Sequence, residues 1–189
     1  MRILACADLH GVPERAARVR DLVREHSPDV LVLAGDLAEW GEEAKTLDLL
    51  KVLIRVLAVP GNADGRSLVA ELTRRRWLLD GATTVSGVTF GSARTKRHCD
   101  VLISHAPPHG TLDAAPGGEH QGSVQVLELL ERLHPRVLLC GQVHDCPGVV
   151  EFGPTLVVNC SAGADRASGA VVDLTESEVT ARLLRPTSV

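Results

Sequence analysis

The chain has 189 residues, enough for one domain over residues 1–189 with a substantial core. It is 44% hydrophobic and 23% charged with a net charge of −4, an ordinary globular balance in which no apolar run is long enough to cross a bilayer. Aromatic residues make up 2% and Tyr is absent, which argues against a stacking or electrostatic platform for nucleic acid.

Strands and helices are expected to alternate. Arg2–Ala7 is a continuous apolar run of the length of a buried parallel strand. Pro13–Glu25 carries Ala16, Ala17, Val19, Leu22 and Val23 at helical spacing, with Pro13 acceptable in the first turn. Val30–Ala34 is the second strand, Glu42–Leu53 a helix and Arg55–Val59 the third strand. Asp64 is placed to cap a helix running to about Arg76. Leu78–Asp80, Thr83–Val85 and Val88–Phe90 read as short strands punctuated by Gly81 and Gly87.

Val101–Ser104 is another apolar strand, and the Pro- and Gly-rich stretch Ala106–Gln121 is long for a loop without a function. Ser123–Leu133 is an amphipathic helix with Gly122 or Ser123 at its N-cap, and Arg136–Cys140 is a strand. Val149–Phe152, Thr155–Asn159, Ala170–Asp173 and Val179–Leu184 are expected to close the fold as an antiparallel set, with a turn at Gly153-Pro154. The whole reads as one α/β domain with helices covering a layered sheet core. Five cysteines without a C-x-x-C pair fit neither a disulfide framework nor a zinc ribbon. Reduced, mostly buried thiols are expected, in a cytoplasmic protein whose start is too short for a signal peptide.

Five polar motifs interrupt this pattern: Asp8-Leu9-His10, Gly35-Asp36, Gly61-Asn62-Ala63-Asp64, Ser104-His105 and Gly141-Gln142-Val143-His144. Each sits where a hydrophobic run ends, and in open α/β sheets ligands collect beyond the carboxyl ends of the strands. Taken singly, each has a plain structural reading as a turn, a helix cap or a satisfied buried histidine. Together they gather carboxylate, imidazole and amide donors on one rim, a set suited to a pair of divalent metals. Asp36 could bridge two cations through its two oxygens. Asn62 could offer its amide oxygen to a metal and its NH2 to a phosphate oxygen.

This order of motifs resembles the calcineurin-like metallophosphoesterase superfamily over essentially the whole chain. Within it, Ser104-His105-Ala106-Pro107-Pro108-His109-Gly110-Thr111-Leu112-Asp113 is similar to the H-x-P-P-x-G-x-L-D signature of a small intracellular branch, as are Gly122-Ser123 and Val158-Asn159-Cys160-Ser161. The resemblance implies a four-layer αββα sandwich with two metals, Mn2+, Fe2+ or Zn2+, at the strand ends. One metal would take Asp8, His10, Asp36 and His144; the second would take Asp36, Asn62, His105 and the position of Gln142. A hydroxide held between them would attack the phosphorus of a small phosphorylated substrate, a phosphodiester more readily than a monoester.

The chain departs from that pattern twice. Ala63 stands where the family usually has a histidine that assists the leaving group, and Gln142 stands where a second metal-binding histidine is usual, so the second metal should be held weakly. His109, in the Pro- and Gly-rich loop, is the first candidate for the missing acid and Asp64 the next; Asn62 and His105 are the other catalytic candidates. The alternative implied by Ala63 and Gln142 is a non-catalytic binding or scaffold protein. His98, His120, His134 and the Arg74-Arg75-Arg76 run are assigned to the solvated surface.

Overall fold

A computed structural model describes residues 1–164 and 166–185. Two sheets lie face to face. The first has the strand order β11-β10-β1-β2-β3 and the second β4-β5-β6-β7-β9-β8. Strands β1 (Arg2–Cys6), β2 (Val30–Ala34) and β3 (Arg55–Val59) run parallel in the first sheet. In the second, β5 (Val88–Ser92), β6 (Val101–Ile103), β7 (Val137–Cys140) and β9 (Thr155–Asn159) are parallel.

Side-chain alternation along each strand builds the layers. Along β1, Ile3 and Ala5 face the interior between the sheets, with Val32, Phe90, Ile103 and Leu139, while Leu4 and Cys6 face outward. That outer face packs under helices α1 (Pro13–His26), α2 (Glu43–Leu49) and α3 (Arg66–Arg74) through Ala16, Val19, Leu22, Leu47, Leu68 and Leu72. On the far side, Leu102, Leu138 and Val157 pack against Val126 and Leu130 of α4 (Val124–Leu133). The result is helix, sheet, sheet, helix: the four-layer αββα sandwich. No helix among the described residues is long and apolar enough to cross a membrane.

Several boundaries differ from the sequence expectation. Helix α2 stops at Leu49, because the chain must turn through Leu50–Ile54 to enter β3, and it leaves Leu53 fully exposed. Leu78 forms only an isolated bridge to Ala58, whereas β4 (Ala82–Val85) and β5 form a true antiparallel hairpin. The four C-terminal strands do not close as one set. β8 (Gly148–Phe152) pairs antiparallel with β9 in the second sheet, while β10 (Ala170–Leu174) and β11 (Val179–Leu183) extend the first. The segment between β9 and β10 therefore crosses between the sheets, and its Ser161 bridges to Ala7 beside the first polar motif. Ser123 does cap α4, its Oγ accepting from the Val126 amide at 3.3 Å.

Cys6, Cys99, Cys140 and Cys160 are buried and Cys146 is half-buried. Burial pushes the Cys6 thiol up to about 12 and the Cys99 thiol to about 11, and it raises Cys140 and Cys160 as well. The thiolate is the reactive form, so these four should be inert. At pH 8 the native protein should react with a maleimide at Cys146 alone, and at all five cysteines in denaturant. Rapid native labelling at Cys6 or Cys160, read by peptide mass spectrometry, would contradict this packing.

Candidate metal centre

The polar motifs all follow the carboxyl ends of parallel strands, and the chain zips those ends together. After β1 and β2, the Asp8 amide donates to the Gly35 carbonyl (3.0 Å), the His10 amide to Asp36 (2.9 Å) and the Gly11 amide to Leu37 (3.1 Å). After β6 and β7, the Gly141 amide donates to the His105 carbonyl (2.9 Å). Four of the turn residues, Asp8 (φ 61°), His10 (φ 49°), Asp36 (φ 53°) and Gln142 (φ 67°), take left-handed backbone conformations that ordinary residues avoid. Each costs on the order of 1–3 kcal/mol, strain of a kind concentrated at functional sites.

Two glycines allow the turns to approach each other. Gly35, at φ 92°, leaves no room for a β-carbon, which would stand 2.5 Å from His105 Nδ1. At Gly61 a β-carbon would lie 2.1 Å from Asp36 Oδ1. Any larger side chain at either position drives into the ligand cluster itself.

Two groups of side chains converge: Asp8, His10 and His144, and Asp8, Asp36 and His105, with ligand atoms in each group within 4.8 Å of one another. Asp8 and Asp36 are buried, at 0% and 4% exposure. His10 Nε2 faces His144 Nε2 at 3.2 Å, and His144 Nε2 is 3.5 Å from Asp8 Oδ1. Asp36 Oδ2 lies 3.4 Å from His105 Nε2 and 3.9 Å from His10 Nε2, so both carboxylates sit beside imidazoles. His105 Nδ1 donates to the Ala34 carbonyl at 2.8 Å, which presents Nε2 to the cluster, an outer-shell arrangement common for metal-binding histidine. Asn62 Oδ1 is 2.9 Å from that same Nε2. Imidazole nitrogens and buried carboxylate oxygens aimed at common points form a donor set that fits divalent cations.

Electrostatics bind the set together. Burial alone would raise the Asp36 carboxyl, but the hydrogen bond and charge of His105, the Ala63 amide and the charge of His10 outweigh it and lower its pKa. Burial would lower His105, yet Asp36, the Ala34 carbonyl and the charge of Asp8 together outweigh it and raise its pKa.

Other residues sit differently from the sequence expectation. Asp64 does not cap α3, whose N-cap is Gly65 without a side-chain bond. Its carboxylate instead accepts from the amides of Asp36 (2.8 Å), Leu37 (3.0 Å) and Gly61 (2.8 Å), tying the second and third motifs together. Burial raises its pKa despite those donors. The sequence signal for this role is an Asp two residues after Asn62, inside a motif rather than at a helix start. Gln142 uses its backbone amide, which donates to both Asp8 oxygens at 3.2 and 3.0 Å, while its side-chain NH2 donates to the Gln121 carbonyl at 2.9 Å.

His109 lies beside Asp113 and His120: its Nδ1 is 3.8 Å from Asp113 and its ring packs edge-on against His120, with centroids 5.3 Å apart. His120 lies at the surface as expected, with its Nδ1 2.8 Å from Asp113. Asp113, buried, also accepts from the amides of Gly110 (2.9 Å) and Gly122 (3.1 Å) and so holds both ends of the loop that follows His105. A cleft opens on the Asn62–His105–Gln142 side of the cluster.

The profile of the calcineurin-like phosphoesterase family matches residues 1–146. An uncharacterized protein of Methanocaldococcus jannaschii is 26% identical over an alignment of 197 residues, covering 85% of this chain and 88% of that protein. Among solved structures, the chain is similar to a Thermus thermophilus protein (TM-score 0.72, 16% identity, 97% and 99% of the two chains covered). It is also similar to an archaeal phosphodiesterase (0.62, 18%, 97% and 100%) and to the anchor in the inner membrane complex of Plasmodium (0.70, 12%, 99% and 85%). At those identities the likeness is one of fold.

The cluster makes a pH prediction. A cation must displace the proton that Asp36 helps hold on His105, so binding releases protons and weakens as pH falls. Calorimetric Mn2+ titrations in buffers of different ionisation enthalpy should show net proton release, with affinity falling between pH 8 and pH 6. Affinity independent of pH would contradict a site built on these histidines.

Proposed function

The chain belongs to the calcineurin-like phosphoesterase family, and from that premise we propose that it hydrolyses a phosphodiester or another small phosphorylated metabolite with two divalent cations, Mn2+, Fe2+ or Zn2+. The observation that carries this reading is the convergence of the Asp8–His10–His144 and Asp8–Asp36–His105 groups on adjacent points. A scaffold has no physical need to bury two carboxylates among three imidazoles. In this reading Asp8, His10, Asp36 and His144 hold one cation, and Asp36, Asn62 and His105 hold the other, with Gln142 a weak fourth donor. When bound, the cations supply Lewis-acid polarisation of the phosphoryl oxygens and lower the pKa of a coordinated water.

The remaining chemistry falls to the chain. His105, pinned through Nδ1 to Ala34, keeps its Nε2 aimed at the reaction centre. Asn62 offers an amide NH2 to a phosphoryl oxygen, where charge accumulates during phosphoryl transfer. Asp64 fixes the distance between the Asp36 and Gly61 turns, so it acts as a positioning residue. Ala63 can neither donate nor accept a proton through its side chain, and in this reading the half-exposed His109, whose ring lies against His120 and 3.8 Å from Asp113, is not assigned the acid's role. Esters whose leaving group departs without protonation, such as aryl esters, are therefore the favoured substrates. A cytoplasmic setting belongs to the same reading and is supported by the five free cysteines.

A second reading follows from Ala63 and from the engagement of the Gln142 side chain with Gln121: a metal-binding scaffold that keeps the fold without turnover. One assay separates the two. The metal-stripped protein is reloaded with Mn2+, Fe2+, Zn2+ or Mg2+ and given a bis-aryl phosphodiester beside an aryl phosphomonoester. The enzyme reading expects metal-dependent turnover, faster on the diester, that disappears in Asp36→Ala while the circular dichroism spectrum is kept. Binding of metal without turnover under every metal would leave the scaffold reading.

Two substitutions probe the departures. General-acid assistance is worth about 10²–10⁴-fold, so Ala63→His should raise kcat at least tenfold on an alkyl ester and little on an aryl ester. Gln142→His should tighten the weaker of the two cations. An unchanged metal affinity would remove Gln142 from the ligand set.

A further inference from the structure

We infer that the cleft beside Asn62 and His105 receives the organic substituent of the ester, and that the substrate is a phosphoester carrying a compact, uncharged, apolar group. The inference rests on the phosphoesterase reading above and narrows its substrate. The cleft measures about 430 Å³, within the range of roughly 300–1,000 Å³ usual for small-molecule sites. Asn62, His105 and Gln142 form the end that meets the carboxylate–imidazole cluster. A phosphoryl group held by that cluster therefore directs one ester substituent into the cleft.

The walls decide what that substituent can be. Val59, Val69, Leu78, Leu79, Ile103 and Val126 line it, contributed by the end of β3, helix α3, the segment after it, β6 and helix α4. Leu79, Ile103 and Val126 are buried and form the floor, while Val69 and Leu78 are half-buried at the sides. No Phe, Tyr or Trp is among the lining residues, so a ring is held along these walls by aliphatic contact rather than by stacking.

Most polar side chains at the edge already have partners, leaving the Ser104 hydroxyl and the Asn62 NH2, at the end beside the cluster, as the hydrogen-bonding groups the cleft offers. Ser92 Oγ accepts from the Gly81 amide (3.0 Å) and the Arg94 amide (3.3 Å), and Ser123 Oγ accepts from Val126. The Arg94 guanidinium lies 3.5 Å from Asp80, so its charge is matched at the mouth. A sugar or other hydroxyl-rich group entering here would lose its water and gain few hydrogen bonds in return. An apolar group gains from leaving water.

Phosphonates test this through binding alone. With the Mn2+-loaded protein, phenylphosphonate should bind roughly tenfold or more tighter than methylphosphonate, and 2-hydroxyethylphosphonate should bind no tighter than methyl. Val69→Trp narrows the cleft from its outer wall, at a residue outside the metal cluster. It should abolish the phenyl preference while leaving methylphosphonate affinity unchanged. The wild-type ranking needs no variant, so the test survives a Val69→Trp protein that fails to fold. Equal affinity for phenyl and methyl, or a preference that persists in folded Val69→Trp, overturns the inference. Loss of both affinities together in that variant also overturns it. A phenyl preference without turnover of any ester would instead sink the phosphoesterase reading and leave the cleft assignment standing.

Discussion

Asp8 and Asp36 are buried at the rim of the same sheet, each in contact with imidazole, and two unbalanced carboxylates in such a place are strongly unfavourable. Much of the architecture around them answers that problem. Backbone amides of Gln142 and Ala63 donate to their oxygens. Three histidines, from the turns after β1, β6 and β7, bring imidazole nitrogens against them, donors that could hold a cation. Asp64 adds a third, half-buried acid that accepts from backbone amides, so it tightens the turns without feeding the cluster another ligand. The left-handed residues and the close-fitting glycines are the geometric cost of bringing these turns within reach.

The same constraint explains why the two sheets must face each other in register. The first sheet supplies Asp8, His10, Asp36 and Asn62 and the second supplies His105, Gln142 and His144, so neither alone forms the centre. The seam is closed by the crossing segment after β9. Asn159, fully buried, donates to the Val143 carbonyl at 2.9 Å and accepts from the Ser161 amide. Arg15 joins the Asp8 carbonyl to that of Gly163, and a β-carbon on Gly163 would fall 2.5 Å from the His144 ring. Packing far from the ligands in sequence thus sets the angle at which His144 meets Asp8.

Much of this was legible in the sequence because it follows from local pattern. Short apolar runs ending in Asp, His or Asn marked the parallel strands and their ligand-bearing ends, and Ser123 announced α4. What was hidden depended on long-range pairing. Nothing local distinguishes β8 and β9 from β10 and β11, since all four are short β-branched strands, yet they belong to different sheets. Asp64 precedes a helix and has the residue type of a cap, and only the fold shows that the Gly35–Leu37 turn reaches it first. His109 and His120 are separated by a loop whose closure on Asp113 brings them together.

Ala63 and Gln142 are the points at which this chain parts from the pattern it otherwise follows. Gln142 lines the cleft, and Ala63 follows Asn62, which lines it too. In the proposed reading these two departures would favour the first cation over the second and would leave the leaving group to depart unaided. Two cations sharing the buried carboxylates are the core of the proposed function, and electron paramagnetic resonance of the Mn2+-loaded protein tests that most directly. The proposal predicts two ions per chain at saturation, filled in sequence, with the spin-coupled spectrum of a bridged pair that becomes an isolated-ion spectrum in Asp36→Asn. A single uncoupled ion at every concentration, or a coupled pair that persists in Asp36→Asn, would contradict it.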